Sequence, residues 1–229
     1  MNIFQKTLEY LASPAFFRGA LMTLILTIIS IFLGILVGLA LALIQQGRIK
    51  ILQKFALSYL WLIRGTPVLF QLIFVFNVLP TLGLLFSGFT CAVLALSLNE
   101  GAYEAEIMRS GIQAISKGQR VAARALGLKE WQVMRYVVLP QALRIIIPPV
   151  GNQFIGMLKL SALVSVIAVE DLLLVANQAA SASFRYVETL SAAGIYYLSM
   201  TTIFMFFQKR IEDWAKRRKR PSRNLTIPQ

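Results

Sequence analysis

Long uncharged stretches divide the chain into segments that predict membrane-spanning helices. No Asp, Glu, Lys or Arg lies between Arg64 and Glu100, for example. About 20 apolar residues cross the hydrocarbon of a bilayer, so this stretch exceeds one span, and Pro80 and Gly83 predict a turn within it. We therefore expect an all-α membrane protein with about five transmembrane helices in a single domain, residues 1–229. The predicted spans are about 17–44, 53–79, 86–109, 143–168 and 188–208.

The basic residues are concentrated in three segments, 45–54, 109–144 and 208–229, which alternate spans place on one side of the membrane. By the positive-inside rule this side is cytoplasmic, so we expect the N-terminus outside and the C-terminus in the cytoplasm. A cytoplasmic loop is then expected at about 115–140 and a basic cytoplasmic tail at 209–229. We interpret the tail as a contact for anionic lipid head groups rather than for nucleic acid.

Composition removes several classes of function. The chain has 229 residues, 57% of them hydrophobic, and a net charge of +13. It has no histidine and one cysteine, Cys91. Histidine-based catalysis, histidine metal sites and internal disulfides are thereby excluded. We expect no metal, no cofactor in this chain and no enzymatic activity of its own.

The cytoplasmic loop has the pattern of a helix–turn–helix. GQRVAARAL has high helix propensity, Gly127 is suited to ending a helix, and LKEWQVMRYVVL predicts a second helix that Pro140 stops or bends. Small residues on the first helix allow close approach of another surface, and Trp131 and Met134 offer apolar anchors. The loop is therefore suited to docking a soluble partner.

The loop also resembles a known signature, E-A-A, three residues, G, nine residues, I-x-L-P. This signature is typical of the integral-membrane subunits of bacterial ATP-binding-cassette importers. Ala122-Ala123, Gly127 and Val137-Val138-Leu139-Pro140 keep this spacing, although Val121 replaces the usual glutamate and Val137 the isoleucine. Four further stretches resemble the polar amino acid (histidine, glutamine and arginine) branch of these subunits: IRGTPVLFQL, GAYEAEIMRSGIQAISKGQ, LPQALRIIIPPVGNQFI and LVSVIAVEDLL.

The resemblance implies a transmembrane subunit of an ATP-driven amino acid importer in the bacterial cytoplasmic (inner) membrane. Its partners would be a dimeric cytoplasmic ATP-binding subunit, a second permease copy or homologue, and a periplasmic or lipid-anchored amino acid-binding protein. ATP and Mg would be bound by the ATPase subunit, because this chain has no G-x-x-x-x-G-K-[ST] loop. The resemblance places docking in the Gly118–Pro140 loop, at Gly118, Ala122, Ala123, Leu126, Gly127, Leu128, Trp131, Met134, Leu139 and Pro140.

Ionisable residues in the third predicted span are candidates for binding substrate, because charge inside a bilayer is costly. Glu100 and Glu104 are four residues apart and share a helix face. One interpretation is that they line a cavity with their neighbours and bind an amino acid's cationic group. The other is that they pair with Arg64 or Lys159 and only hold helices together. The tentative substrate-binding set is Asn99, Glu100, Tyr103, Glu104, Arg64 and Lys159.

Several smaller expectations follow from local pattern. Gly34 and Gly38 form a G-x-x-x-G that favours close helix packing. Pro148-Pro149 predicts a broken helix, and Glu170-Asp171 a solvated acidic pair. The alternative functions are an ATP-independent channel, a secondary carrier or a membrane scaffold. A carrier often has inverted repeats and a channel needs a filter or ring of charge, and neither is evident.

Overall fold

The computed structural model describes residues 2–217, and every regular element within that range is a helix. These elements include a π-helical turn at Val133–Val138 and 3₁₀ turns at Leu79–Leu82 and Ser161–Ile167. Most of the predicted basic tail lies outside the described residues. The α-helices are α1 (Ile3–Leu11), α2 (Pro14–Gln46), α3 (Lys50–Gly65), α4 (Val68–Val78), α5 (Gly88–Gln113), α6 (Lys117–Ala125), α7 (Glu130–Gln132), α8 (Leu139–Leu160), α9 (Leu172–Ser183) and α10 (Tyr186–Arg217).

Helices α2 and α5 pack along each other at the centre of the fold. Gly34 and Gly38 face α5, where a Cβ on Gly34 would stand 2.8 Å from the Cβ of Glu100. The G-x-x-x-G of the first span therefore makes the close contact that its pattern predicts. Because only a hydrogen occupies each glycine position, the two backbones approach closely enough to enclose polar side chains of α5.

Helix α5 corresponds to the predicted span 86–109, but its most apolar stretch has a lower mean hydropathy than those of the other long helices. That helix has 26 residues and a largely buried surface, yet Asn99, Glu100 and Glu104 lower its mean hydropathy. An all-helical, multi-pass chain is confirmed, whereas the count of five spans and their orientation remain predictions. Three helical runs within residues 2–217, and one bent pair of helices, are long and apolar enough to cross a membrane: Pro14–Gln46, Glu130–Ile167, Tyr186–Ala215 and the pair Lys50–Gly65 with Val68–Leu82.

The second predicted span, 53–79, is not one straight helix. Helices α3 and α4 meet at an angle of 105°. Pro67 lacks an N–H and disfavours helical backbone at the residue before it, and Thr66 is accordingly extended (φ −118°, ψ 144°). The sequence RGTP was noted for its resemblance alone, and its proline was not recognised as a helix break.

The prolines of α8 do not interrupt the helix. Pro140 does not stop a helix, because it lies in the first turn of α8 directly after the π-helical turn; the alternative effect, a bend at this point, stays a prediction. Pro148 and Pro149 lie inside α8 without breaking it. Here α8 packs against α10, and Gln208 Nε2 donates to the carbonyl of Pro148 (2.7 Å). The expectation of a broken helix in this region is therefore corrected.

The predicted solvated pair Glu170-Asp171 is also corrected, since only Glu170 is exposed. Asp171 is fully buried and caps α9, a helix that hydropathy did not predict. Its carboxylate accepts hydrogen bonds from the backbone N–H groups of Leu173 (3.2 Å) and Leu174 (3.0 Å) and from the hydroxyl of Tyr197 (3.4 Å). These bonds satisfy the free N–H groups of the first turn of α9.

Candidate substrate cavity and coupling segment

A cavity of about 230 Å³ opens beside the middle of α5. It includes three of the residues proposed from sequence to bind substrate, Asn99, Glu100 and Tyr103. Asn99 and Glu100 are both almost fully buried. Together with Gln153, these residues bring a carboxylate, two amides and a phenol to a cavity whose other lining residues are apolar. The remaining lining residues are Val68, Gln153, Gly156, Met157 and Leu160.

Glu100 is held by an amide from a neighbouring helix. Gln153 Nε2 of α8 donates to Glu100 Oε1 (3.1 Å). This bond joins α5 to α8 across the cavity wall and leaves the second carboxylate oxygen available to a ligand. No sequence pattern predicted a substrate role for Gln153. The available signal was its position in LPQALRIIIPPVGNQFI, a stretch that resembles amino acid permeases.

The structure separates the two carboxylates that share a helix face. Glu104 does not line the cavity. It is fully buried against α2, where a Cβ on Gly38 would stand 2.5 Å from its own Cβ. Within residues 2–217 neither Glu104 carboxyl oxygen has a hydrogen-bond partner. The arrangement supports a ligand contact for Glu100 and a packing role for Glu104.

The basic candidates lie elsewhere. Arg64 Nη1 is 3.6 Å from Glu106 Oε2, and its guanidinium lies 5.6 Å from the centroid of the Tyr103 ring. Glu106 also accepts two hydrogen bonds of 2.9 Å from Arg109. Lys159 is exposed, and within the described chain no ion pair joins it to a carboxylate. The interpretation that Glu100 and Glu104 pair with Arg64 or Lys159 is therefore wrong.

Gln71 of α4 links the bent helix pair to the cavity. Its Nε2 lies within hydrogen-bond distance of the carbonyl oxygens of Ile63 (2.8 Å) and Thr66 (3.1 Å) and of the Thr66 hydroxyl (2.9 Å). Its Oε1 accepts from Asn99 Nδ2 (3.0 Å). Sequence reasoning assigned Gln71 no role, although it lies in the stretch IRGTPVLFQL. A polar residue four positions after a helix-breaking proline was the available signal.

The coupling segment, residues 115–140, forms the expected helix–turn–helix. Leu128 N–H donates to Ala123 O (3.2 Å), and Gly127 N–H donates to Arg124 O (2.9 Å). This pair of hydrogen bonds is the pattern that ends a helix at a residue in the left-handed conformation. Gly127 has φ +83°, which only glycine adopts without strain. Arg124 and Glu130 then form two hydrogen bonds across the turn (2.6 and 3.1 Å). The Arg124 guanidinium holds the pKa of the Glu130 carboxyl below its usual value of 4.5.

Not all predicted docking residues face outward. Ala123 is buried with Val133 and Val138 of its own chain, and Met134 and Leu139 are half-buried. Leu128 is also half-buried, whereas Gly118, Gly127 and Pro140 are exposed. The apolar side chains left on the surface include Val121, Ala122, Leu126, Trp131 and Tyr136, of which Val121 and Tyr136 were not proposed from sequence.

Comparison with known proteins decides the family. The family of binding-protein-dependent transport system inner membrane components matches residues 30–217. The chain belongs to this family. The resemblance to integral-membrane subunits of ATP-binding-cassette importers is thereby confirmed, as is its consequence that this subunit has no ATPase site of its own. The coupling segment and the cavity are parts of a permease.

Named relatives are amino acid permeases. The glutamine transport system permease protein GlnP of Escherichia coli is 37% identical over 90% of this chain and 94% of its own. The arginine transport system permease protein ArtQ of Bacillus subtilis is 38% identical over 89% and 93%. The arginine transport system permease protein ArgU of Corynebacterium glutamicum is 39% identical over 96% and 74%.

Solved structures share the fold. A chain described as an amino acid ABC transporter with histidines is 43% identical, with a TM-score of 0.84 over 88% of this chain and 94% of that one. The inward-facing methionine transporter MetNI matches at 21% identity with a TM-score of 0.68, over 86% of this chain and 94% of that one.

Proposed function

We propose that this chain forms part of the translocation path of an ATP-driven importer for a polar amino acid, and that the cavity at Asn99, Glu100 and Tyr103 binds the substrate's cationic group. The observation that carries the proposal is the buried, single-contact carboxylate of Glu100 at the cavity wall. A buried carboxylate is costly unless its remaining acceptor positions are filled, and an ammonium or guanidinium fills them.

The cavity's charge favours a cationic over an acidic substrate. Among the described residues Glu100 is the only charged one that lines the cavity, and Arg64 and Lys159 do not line it. An amino acid with a carboxylate side chain would bring like charge towards Glu100, whereas arginine, lysine or histidine would bring a complementary one. Glutamine, with a neutral donor group, is compatible with the same acceptors. Arg64, Lys159 and Glu104 are thus left out of the proposed binding set.

Energy for transport would enter through the coupling segment. We place its exposed apolar face, Val121, Ala122, Leu126, Trp131 and Tyr136, in a groove of a cytoplasmic ATPase subunit that binds ATP and Mg. The coupling segment lies within the basic segment 109–144, and a second basic segment, 45–54, follows the end of α2 in sequence, which supports a cytoplasmic assignment. A second permease, identical or homologous, and an amino acid-binding protein would complete the importer in a bacterial inner membrane.

The test is uptake by the intact complex. The chain is purified with its ATPase subunit and binding protein, reconstituted in proteoliposomes, and given radiolabelled arginine, lysine, histidine, glutamine or glutamate with and without ATP. Loss of a charge-assisted hydrogen bond should lower uptake by roughly tenfold in Glu100→Gln. Glu9→Gln is the matched control, because Glu9 is exposed on α1 and pairs with Lys6.

ATP-dependent uptake of cationic amino acids or glutamine, reduced in Glu100→Gln alone, supports the proposal. Uptake that needs no ATP would support a secondary carrier or channel instead. Uptake of glutamate in preference to the cationic amino acids would contradict the assignment of Glu100.

A further inference from the structure

The bend between α3 and α4 creates a hydrogen-bonding problem that Gln71 solves. A helix that ends inside apolar surroundings leaves its last carbonyl oxygens without donors, and each costs free energy. The carbonyl of Leu62 is satisfied by the Thr66 hydroxyl (2.9 Å), and those of Ile63 and Thr66 lie within reach of Gln71 Nε2. Both N–H groups of Gln71 are thus committed to the bend, and only Oε1 remains to interact elsewhere.

That remaining oxygen fixes the orientation of Asn99. Because Gln71 Oε1 can only accept, Asn99 must turn its NH₂ group towards it, as the 3.0 Å contact shows. Within residues 2–217 no hydrogen bond occupies the carbonyl oxygen of Asn99, a residue that lines the cavity. Gln153 likewise donates an N–H to Glu100, so its side-chain carbonyl oxygen takes no part in that bond. Both amides therefore add acceptors beside the carboxylate of Glu100.

We infer that Gln71 is a specificity-determining positioning residue, which orients Asn99 so that the cavity presents acceptors to a donor-rich amino acid. Gln71 does not line the cavity and acts only through Asn99. The inference rests on the proposed function, and it adds that the preference for donor groups is set by a residue on the bent helix pair. Without the fixed acceptor of Gln71, Asn99 can turn its NH₂ group to the cavity and accept an acidic substrate more readily.

The test compares arginine and glutamate uptake by the reconstituted full complex. In Gln71→Met, the apparent KM for arginine should rise by roughly fivefold to tenfold, as expected for loss of one oriented hydrogen bond, and discrimination against glutamate should fall. Asn77→Met on the same helix is the matched control, because Asn77 donates only to Ile73 of its own helix (2.9 Å). Its KM should match that of the unmodified complex.

A double-mutant cycle separates positioning from general damage. If Gln71 acts through Asn99, Gln71→Met with Asn99→Ala should raise the KM no further than Asn99→Ala alone. Multiplicative effects on KM, or an unchanged arginine-to-glutamate preference in Gln71→Met, would overturn the inference.

A second variant keeps the test informative if Gln71→Met does not assemble. Gln71→Glu retains an acceptor for Asn99 and removes the donors to the bend, so the substrate preference should survive while thermal stability falls. Loss of the preference in Gln71→Glu would contradict the inference. If the unmodified complex transports none of arginine, lysine, histidine and glutamine, the proposed function fails instead, whatever the variants do.

Discussion

Gly38 of α2 lies against Glu104 of α5 so closely that a Cβ on the glycine would stand 2.5 Å from the Cβ of the glutamate. One turn away, Gly34 has the same relationship to Glu100. The two glycines therefore determine how near α2 comes to the helix that carries the candidate site. Any side chain at either position must push the helices apart or displace a carboxylate.

Gly38→Ala should destabilise the protein through this contact. Overpacking a tight interface typically costs about 1–3 kcal/mol, and we expect a clear fall in the thermal unfolding midpoint in detergent. Gly194→Ala is the matched control, because nothing lies within 4 Å of a Cβ at that helical position. Alanine there should leave the midpoint unchanged or raise it slightly, since alanine favours helix. Equal midpoints for the two variants would contradict the packing role of Gly38.

Glu104→Gln should be tolerated much better than Glu100→Gln. Glu104 is fully buried and its oxygens have no partner within the described part of the chain, so an ionised form would be costly and a neutral amide of similar shape replaces it at little expense. We expect ATP-dependent arginine uptake and stability close to those of the unmodified complex. A loss of uptake as large as that of Glu100→Gln, at equal complex yield, would show that Glu104 contacts substrate after all.

The parts of the fold that the sequence predicts are those with a local cause. The uncharged runs locate α2 and α10, the G-x-x-x-G marks the α2–α5 contact, and Gly127 marks the turn of the coupling segment. These features depend on hydrophobic period, backbone freedom or spacing, which a single sequence displays directly.

What the sequence does not predict depends on tertiary partners. Pro148 and Pro149 remain inside α8, where packing against α10 outweighs the local preference for a break. Glu100 and Glu104 share a helix face, yet one faces a cavity and the other a glycine, because α2 and α8 cover different parts of that face. Gln71 and Gln153 join the site only through folding.

Trp131→Ala should weaken binding of the ATPase subunit. Trp131 is 60% exposed beside Tyr136, with 6.1 Å between ring centroids, and exposed aromatic anchors of this kind commonly contribute about 2 kcal/mol or more to an interface. We expect less ATPase subunit to copurify with the variant in mild detergent. Trp61→Ala makes the same substitution at an exposed tryptophan of α3, outside the coupling segment, and should retain the ATPase subunit. Equal retention by both variants would place docking elsewhere.

The Arg124–Glu130 pair should keep the turn of the coupling segment closed over the physiological pH range. A carboxyl whose pKa is lowered by folding contributes stability above its unfolded pKa of 4.5 and loses that contribution as the pH falls through the lowered value. Lowering the pH from 7 to 5 should therefore leave the turn intact, with opening only below 4.5.

At pH 7, Glu130→Gln and Arg124→Gln should each increase hydrogen exchange at Gly127 and Leu128. The double variant should exchange no faster than either single one, because the same interaction is lost in all three. Lys129→Gln, a change of charge in the same turn without a side-chain ion pair, is the control and should exchange like the unmodified chain. Additive increases in the double variant would mean that the two residues hold the turn independently.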